Sequence, residues 1–544
     1  MTRVCAPITV ESIEGVTAAL ADAGEARLAG ADLVEYRLDS MFTGEEPGEI
    51  DAAVRLADQT PLPCIMTCRP TWEGGEYDGE DTARIALFER LGTADRPPAY
   101  IDVELAAYTR SANLRQKVNL AVDHPKQERQ VATRLILSTH DFEGRPADLT
   151  RRLADAYAEP AVSVVKVAFR ARSLRDNLEL FEILRGAPKP TIALGMGEFG
   201  LMSRVLAPKF GGFLTFASLR SETTTAPGQP TIAELLGLYR FVSIGRATKV
   251  YGIVGWPVGH SLSPAVHNAG FDAADHDGVY VPMPIVAGDD AELGYSSFRA
   301  TVGSLLDGGQ LDDASLDLAG LSVTLPHKQN LVRMGADEGW QVDVAGGSAA
   351  NTLARRDGAL SVHDTDAPAV VSLVGSAIGS LAGCRVCIAG TGGVARSIAS
   401  RLMAEGATVA LLSRDEARAE AMAGELARGV SGSGKAVVAG DPIGESAAVF
   451  INCSPVGMEG GPAPEGMAFP VDQMTEIGPD TVFFDTVYRP RETPMQRAAA
   501  ARGCRTIDGT AMFVAQAEAQ FAIWTGRPPA AGLFARIVDE SLSG

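Results

Sequence analysis

Cysteine is scarce: seven in 544 residues, an odd number scattered along the chain, which excludes a disulfide framework as the basis of the fold. Cys64 with Cys68, and Cys384 with Cys387, lie in apolar strand-like segments and read as buried core thiols rather than a metal or redox pair. Histidine is equally rare, with seven residues and no His-Glu-x-x-His-type pair, so no metal is expected. Positive charge is in deficit, 48 Lys and Arg against 68 Asp and Glu. The resulting net charge of −20 removes any general attraction to nucleic acid or an anionic membrane, while leaving single pockets free to be locally basic. Long apolar runs are missing, and the N-terminal MTRVCAPITVES has no signal-peptide core, so a soluble cytoplasmic protein is expected. No internal repeat is visible, and nothing in the pattern fixes an oligomeric state.

What is present is a folded composition, 46% hydrophobic and 21% charged, in a chain too long for one core. The first half alternates strands with amphipathic helices. Strands are predicted at Arg3–Val10, Asp32–Arg37, Pro63–Arg69, Ala99–Glu104, Arg134–Thr139, Ser163–Ala168, Thr191–Gly195 and Phe213–Leu219, with helices such as Ser12–Ala29, Asp81–Leu91, Asp148–Ala158 and Leu174–Arg185 between them. Eight βα units in this length predict an α/β fold of the (β/α)8 barrel type over residues 1–241. A short linker, 242–248, leads to a second βα pattern. From Gly379 the order strand, glycine turn, helix, strand (CRVCIAGTGGVARSIASRLMAEGATVALLSR) is half of a Rossmann-type nucleotide domain. The division expected is one lobe of 249–366 plus 509–544 and a nucleotide lobe of 367–508, with the helix Met512–Trp524 packing back on the segment that begins at Lys249. GVSGSGKAV reads as a surface loop in the nucleotide lobe.

Reactive side chains fall where barrel strands end, the rim on which such folds carry their chemistry. Glu35 and Arg37 end the second strand, Arg69 the third, His140 follows the fifth and Lys166 lies in the sixth. Lys166 sits inside the apolar SVVKVAF. Burial disfavours an ammonium, and a neutral amine can attack a ketone to give a Schiff base. A lone lysine of this kind is more often one that snorkels to solvent. Here His140 is available to move a proton, and Arg69 and Arg204 to hold a carboxylate by paired donors.

The strings VEYRLD, TCRPTWEGG, ILSTHDF, VVKVAF, MGEFGLMSR and TAPGQ run through the barrel segment in order, and over it the chain resembles type I 3-dehydroquinate dehydratase. The resemblance implies that Lys166 forms the iminium with the substrate ketone and that His140 removes the α-proton and helps expel the β-hydroxyl as water. Glu35, Arg37, Arg69, Arg204, Thr225 and Gln229 would position His140 or the substrate. Thr225 stands where the family usually has Ser, which keeps the hydroxyl and adds a β-branch.

In the second half, GTGGVA opens a helix after a strand, the context in which Gly390, Gly392, Gly393 and Ala395 let backbone N–H groups approach a pyrophosphate. Ser413 and Arg414 end the next strand and Arg418 follows one turn later, two guanidinium groups suited to a 2′-phosphate and hence to NADP; Asp415 adds an opposing charge. From Lys249 onward the strings GWPVGHSLSPAVHN, LSVTLPHK, AANT, DTD, GTGGVA, SPVGM, DTVYRP and DGTAMFVAQAEAQFAIWTG make the chain similar to shikimate dehydrogenase. That resemblance implies NADPH-dependent reduction of 3-dehydroshikimate to shikimate, with Lys328 delivering or relaying a proton and Asp366 orienting it. Ser261, Ser263, Thr324, Asn351, Tyr488 and Gln516 would bind the substrate carboxylate and hydroxyls, and Gly509 would join the cofactor site. Taken without their neighbours, Lys328 would read as a helix-start surface lysine, Ser261 and Ser263 as helix caps, and Gln516 as an exposed helical position. Ser322 and Asp364 depart from the family, which often has Asn at both places. Two other readings stay open: an NAD-linked quinate/shikimate dehydrogenase, and a non-catalytic sensor of the same metabolites.

Overall fold

Alternation of buried and exposed positions builds the first half. The structure, a computed structural model, describes residues 1–123, 132–223, 228–307, 316–344, 349–429, 434–438 and 447–543. Eight parallel strands follow one another: β1 (Arg3–Thr9), β2 (Leu33–Arg37), β3 (Cys64–Thr67), β4 (Tyr100–Glu104), β5 (Arg134–Asp141), β6 (Val162–Arg170), β7 (Thr191–Met196) and β8 (Leu214–Phe216). Their order is β7-β6-β5-β4-β3-β2-β1-β8. The two ends meet where Phe213 N–H donates to the Thr191 carbonyl at 2.8 Å, which makes the ring a barrel.

Side chains at every second position face inward. One interior layer is apolar, with Leu33, Ile65, Tyr100, Ile136 and Val164 among its members. Two residues further along the same strands stand Glu35, Thr67, Asp102, Ser138 and Lys166. A polar layer therefore rests on an apolar floor. β8 is shorter than the predicted Phe213–Leu219, because from Ser218 the backbone leaves the wall to pair with Pro230 and Ile232. The first helix begins at Val16 rather than Ser12, since the Ser12 hydroxyl closes a turn with Gly15 N–H.

The second half contains a mixed sheet in which Lys249–Gly255, Leu318–Val323, Thr352–Arg356, Ala359–His363 and Gln341–Asp343 are successive neighbours. The helix Gly509–Thr525 packs on it: Gln520 accepts from Ser322 (2.8 Å), and Trp524 Nε1 donates to the Leu353 carbonyl (3.0 Å). This helix starts three residues before the predicted Met512, where Asp508 accepts from Ala511 N–H.

The remaining sheet is all parallel, with spatial order Lys435–Val438, Thr408–Leu412, Arg385–Ala389, Val449–Asn452, Val482–Asp485, Arg505–Ile507. Numbered along the chain, this is the 3-2-1-4-5-6 order of a Rossmann fold. Along its first strand Val386 and Ile388 enter one core while Cys387 and Ala389 enter the other, so both faces are covered. The loop expected over GVSGSGKAV is corrected in its second half. Lys435–Val438 is an edge strand, its backbone satisfied by Thr408–Leu412 although its side chains remain half-exposed. By contact density the chain forms two units, one of Met1–Lys249, Asp277–Ile285 and Thr301–Asp317, the other of the remaining segments. All seven cysteines are free thiols, and no group of His, Cys, Asp or Glu among the described residues could hold a metal ion. No helix among the described residues is long and apolar enough to cross a membrane.

Candidate active site

A cleft opens at the barrel rim, and Glu35, Arg37, Arg69, His140, Lys166, Arg204 and Gln229 all line it. Thr225 lies outside the described residues. The side chains come from six different strands or the segments after them, so the barrel's closure, not sequence proximity, assembles them.

Lys166 projects from β6 with Phe216 under its Nζ, the ring centre 4.8 Å away. The apolar strand suggested an isolated amine; the structure instead gives it two carboxylates, Asp102 Oδ2 at 2.9 Å and Glu35 Oε1 at 3.3 Å. Asp102 is shared. Its other oxygen accepts from Arg69 Nη2 (2.8 Å) and the Ser138 hydroxyl (2.5 Å). Burial works against ionisation of Asp102, but Arg69 and Lys166 outweigh it and hold the carboxyl well below its usual range.

Arg69 is committed elsewhere than expected. Its guanidinium bonds Asp102, Glu104 Oε1 (2.6 Å) and Ser138 Oγ (2.8 Å), so it serves the lysine's carboxylate rather than presenting a free fork. A buried guanidinium needs this compensation. Arg37 is likewise paired, with both oxygens of Asp39. Arg204 is the contrast. It is 2% exposed, its Nε has no partner, and among the described residues no carboxylate pairs with it. Burial alone pulls it down to about 10. A desolvated cation without a counter-ion at the edge of a cleft is suited to an anion from solution.

His140 lies beside Lys166 with its imidazole held neutral: burial first, then the charges of Arg69 and Lys166, push it well below the ordinary value. It is therefore a base at neutral pH rather than a group half-charged there. Glu73 faces it, accepting the His140 backbone N–H at 2.6 Å and standing 3.6 Å from Nδ1. Burial raises Glu73 to about 7 despite Arg69.

Glu73, Asp102, Glu104 and Ser138 were missed in the sequence. A signal existed for two of them, since YIDVE places both acids on one face of an apolar strand, the anomaly that singled out Lys166.

In the second half Lys328 opens the helix Lys328–Asp337 and Asp366 opens Asp366–Ile378. Nζ donates to Asp366 Oδ2 at 2.6 Å, a largely buried pair. Asn351 donates to Thr365 Oγ1 (2.9 Å) and to Gln516 Oε1 (3.3 Å), which buries Gln516 on the inner side of its helix rather than exposing it. Ser261 Oγ accepts Ser263 N–H at 3.2 Å, closing a turn just before the helix Ser263–Ala273, whose N-cap Leu262 makes no side-chain bond. Thr324 N–H bonds the Val254 carbonyl, and the Tyr488 ring sits 5.7 Å from Phe513.

The nucleotide elements fit a dinucleotide phosphate. Gly390 has φ 117, and a Cβ there would meet the Cys453 carbonyl at 2.9 Å. Gly392 caps the helix Gly393–Ala404, and Ala395 is fully buried beneath it, so the helix N-terminus is open to an anion at the carboxyl end of the sheet. Gly509 cannot carry a side chain, since a Cβ would lie 2.3 Å from the Val487 carbonyl. Ser413 and Arg414 follow the second strand, Arg414 exposed and without a paired carboxylate among the described residues. Arg418 instead pairs with Asp415 (3.2 Å), so only one of the two predicted guanidinium groups stands free.

Comparison with known proteins finds relatives for both halves of the chain. The family model for type I 3-dehydroquinase matches residues 4–246, that for the shikimate dehydrogenase substrate-binding domain residues 253–353, and that for the shikimate 5'-dehydrogenase C-terminal domain residues 509–536. A model for coenzyme F420-dependent NADP oxidoreductase matches 385–459. The bifunctional 3-dehydroquinate dehydratase/shikimate dehydrogenase, chloroplastic, of Arabidopsis thaliana is 35% identical, covering 99% of this chain and 84% of that protein. The shikimate biosynthesis protein AroDE of Chlamydia pneumoniae is 28% identical over 91% of this chain and 90% of its own. The NADP(+) shikimate dehydrogenase of Methanocella arvoryzae is 32% identical over 54% of this chain and 99% of its own.

Proposed function

The chain belongs to the bifunctional 3-dehydroquinate dehydratase/shikimate dehydrogenase family, and from that premise we propose a role for each assembled side chain. It is a two-activity enzyme of the shikimate pathway, a lyase in the barrel and an oxidoreductase in the second half.

In the barrel, residues 1–241, Lys166 attacks the ketone of 3-dehydroquinate. The observation that carries this role is the Lys166 Nζ at the cleft floor with a neutral imidazole beside it. The substrate carboxylate takes Arg204, the cation left without a partner. His140, neutral at the outset, takes one proton from the Lys166 ammonium, so that the freed amine adds to the carbonyl carbon, and returns it to the carbinolamine hydroxyl, which leaves as water. Asp102, held ionised by Arg69, balances the positive charge that the iminium keeps. His140 then removes the α-proton, the iminium accepting the electron pair, and as imidazolium returns a proton to the departing hydroxyl. Glu35, bonded by Thr67 (2.8 Å) and Lys166, orients the amine, and Gln229 and Thr225 hold substrate hydroxyls.

Ser261 and Ser263 of the lobe of 249–366 plus 509–544, with Tyr488 from 367–508, receive the carboxylate of 3-dehydroshikimate, and Thr324, Asn351 and Gln516 its hydroxyls. Lys328 gives the ketone oxygen its proton while Asp366 holds the ammonium in line. In 367–508 the turn Gly390–Gly393 and Arg414 hold NADPH, which supplies the reducing equivalent when bound. The seven free thiols support the reducing cytoplasm as the compartment in which it works.

The test is NADPH oxidation after addition of 3-dehydroquinate alone to the purified chain. Oxidation that Lys166→Ala abolishes, while direct reduction of 3-dehydroshikimate survives, is the expected result. A chain that reduces neither compound overturns the reading; preference for quinate and NAD turns it into that of a catabolic dehydrogenase.

A further inference from the structure

The start of the helix Asp366–Ile378 carries more acid than one ion pair uses. Lys328 Nζ and Asp366 Oδ2 are 2.6 Å apart, with side chains 15% and 9% exposed. Asp364 stands two residues earlier and half-buried, its Oδ1 accepting the backbone N–H of Asp366 at 3.0 Å and of Ala367 at 3.5 Å. The carboxyl is thereby fastened to the same helix N-terminus that carries Asp366. Two carboxyls and one ammonium share an enclosed corner, so full ionisation leaves one negative charge without a counter-ion.

Among the described residues the charged groups that act on Asp364 are Asp366, at the start of the helix that follows it, and Lys328 on the helix Lys328–Asp337. Asp366 faces in addition the Cys453 thiol, which burial pushes up so that it stays uncharged.

Resting on the roles of Lys328 and Asp366 given above, we propose that Asp364 is a positioning residue of the dehydrogenase, a second carboxyl that sets the electric field on the Lys328–Asp366 pair without touching substrate. Burial first, then the charge of Asp366, raise Asp364 to about 6, with Lys328 pulling the other way. Below that pH the carboxyl is neutral and the corner is balanced. Above it the corner carries a net negative charge, which makes the pair hold its proton more firmly and extends reduction to higher pH.

The experiment is the pH dependence, between about pH 5 and pH 10, of kcat and kcat/KM for reduction of 3-dehydroshikimate by the full chain with NADPH. Asp364→Asn and Asp364→Ser both remove the charge and keep an oxygen for the two backbone N–H groups. In both, the ionisation near 6 disappears and the alkaline limb of kcat/KM moves down by about one pH unit. The dehydratase profile of the same chains stays unchanged, and their melting temperatures do not fall, since removing a carboxylate held above its ordinary range costs the fold nothing. Profiles that superimpose on the parent's overturn the proposal and leave Asp364 a helix cap. A parent that does not reduce 3-dehydroshikimate at all overturns the underlying reading instead, and it does so before any variant is made.

Discussion

The two halves place a working lysine in opposite ways. In the barrel, Lys166 is borne by a strand in the middle of a closed ring and reached by Asp102 and Glu35 from two other strands. In the second half, Lys328 begins one helix and Asp366 begins another, and a single 2.6 Å contact joins them. Around Lys166 the barrel answers buried charges with one another, through Asp102, Arg69, Glu104 and Arg84 in succession. The second site answers one ammonium with one carboxylate and adds a further acid, Asp364, fixed by backbone donors. A ring of strands fixes many partners by register, whereas two helix starts fix a pair.

The hardest test of that contrast is to delete each lysine in turn. Lys166→Ala should lower dehydration by at least about 10³-fold, leaving reduction of 3-dehydroshikimate within about twofold, as a nucleophile without a substitute requires. Lys328→Ala should lower reduction by about 10²- to 10⁴-fold, the range for a lost proton donor, with dehydration unaffected. Steady-state assays of the two half-reactions on each variant decide both. If either variant loses both activities, the two sites are not chemically separate.

A smaller effect separates the barrel's arginines. Arg204→Gln should raise KM for 3-dehydroquinate about 10- to 100-fold at little cost to stability, because it removes a charge-assisted contact made only to substrate. Arg69→Gln should instead lower the denaturation midpoint, since it removes the guanidinium that Asp102 and Glu104 share and leaves them Lys166 and Arg84 alone. If the two variants behave alike, the division between scaffold arginine and ligand arginine fails.

The smallest effect concerns Glu73. Its carboxyl is raised to about 7 in the folded chain from an ordinary 4.5, so folding favours its protonated form. That contribution is fully present below pH 4.5 and is lost as pH rises through 7. Glu73→Gln should therefore stabilise the barrel relative to the parent at about pH 8 by roughly 1–3 kcal/mol, the gain shrinking toward about pH 5. Urea unfolding at the two pH values checks the sign.

Much of the fold was legible because period and punctuation are local. Eight strands appeared within a few residues of their places, and the glycine turn at Gly390 marked the nucleotide lobe. Errors came where a backbone partner lies outside the segment. Lys435–Val438 looked like a loop because its composition is weak, yet Thr408–Leu412 pairs with it. Leu219 looked like strand, yet the backbone beside it turns to Pro230.

By itself the sequence determined which residues could react: a lysine inside an apolar strand, a histidine and several arginines at strand ends, and a lysine and aspartate in two short motifs. Only the tertiary structure decided which of these are free to act. Arg69 and Arg204 read alike in sequence, but Arg69 is consumed by carboxylates of β4, whereas no carboxylate among the described residues reaches Arg204. The reason is that charge pairing inside a barrel depends on register between strands far apart in the chain. Burial makes that pairing decisive, since an unpartnered charge at the edge of a cleft is one that a substrate can satisfy.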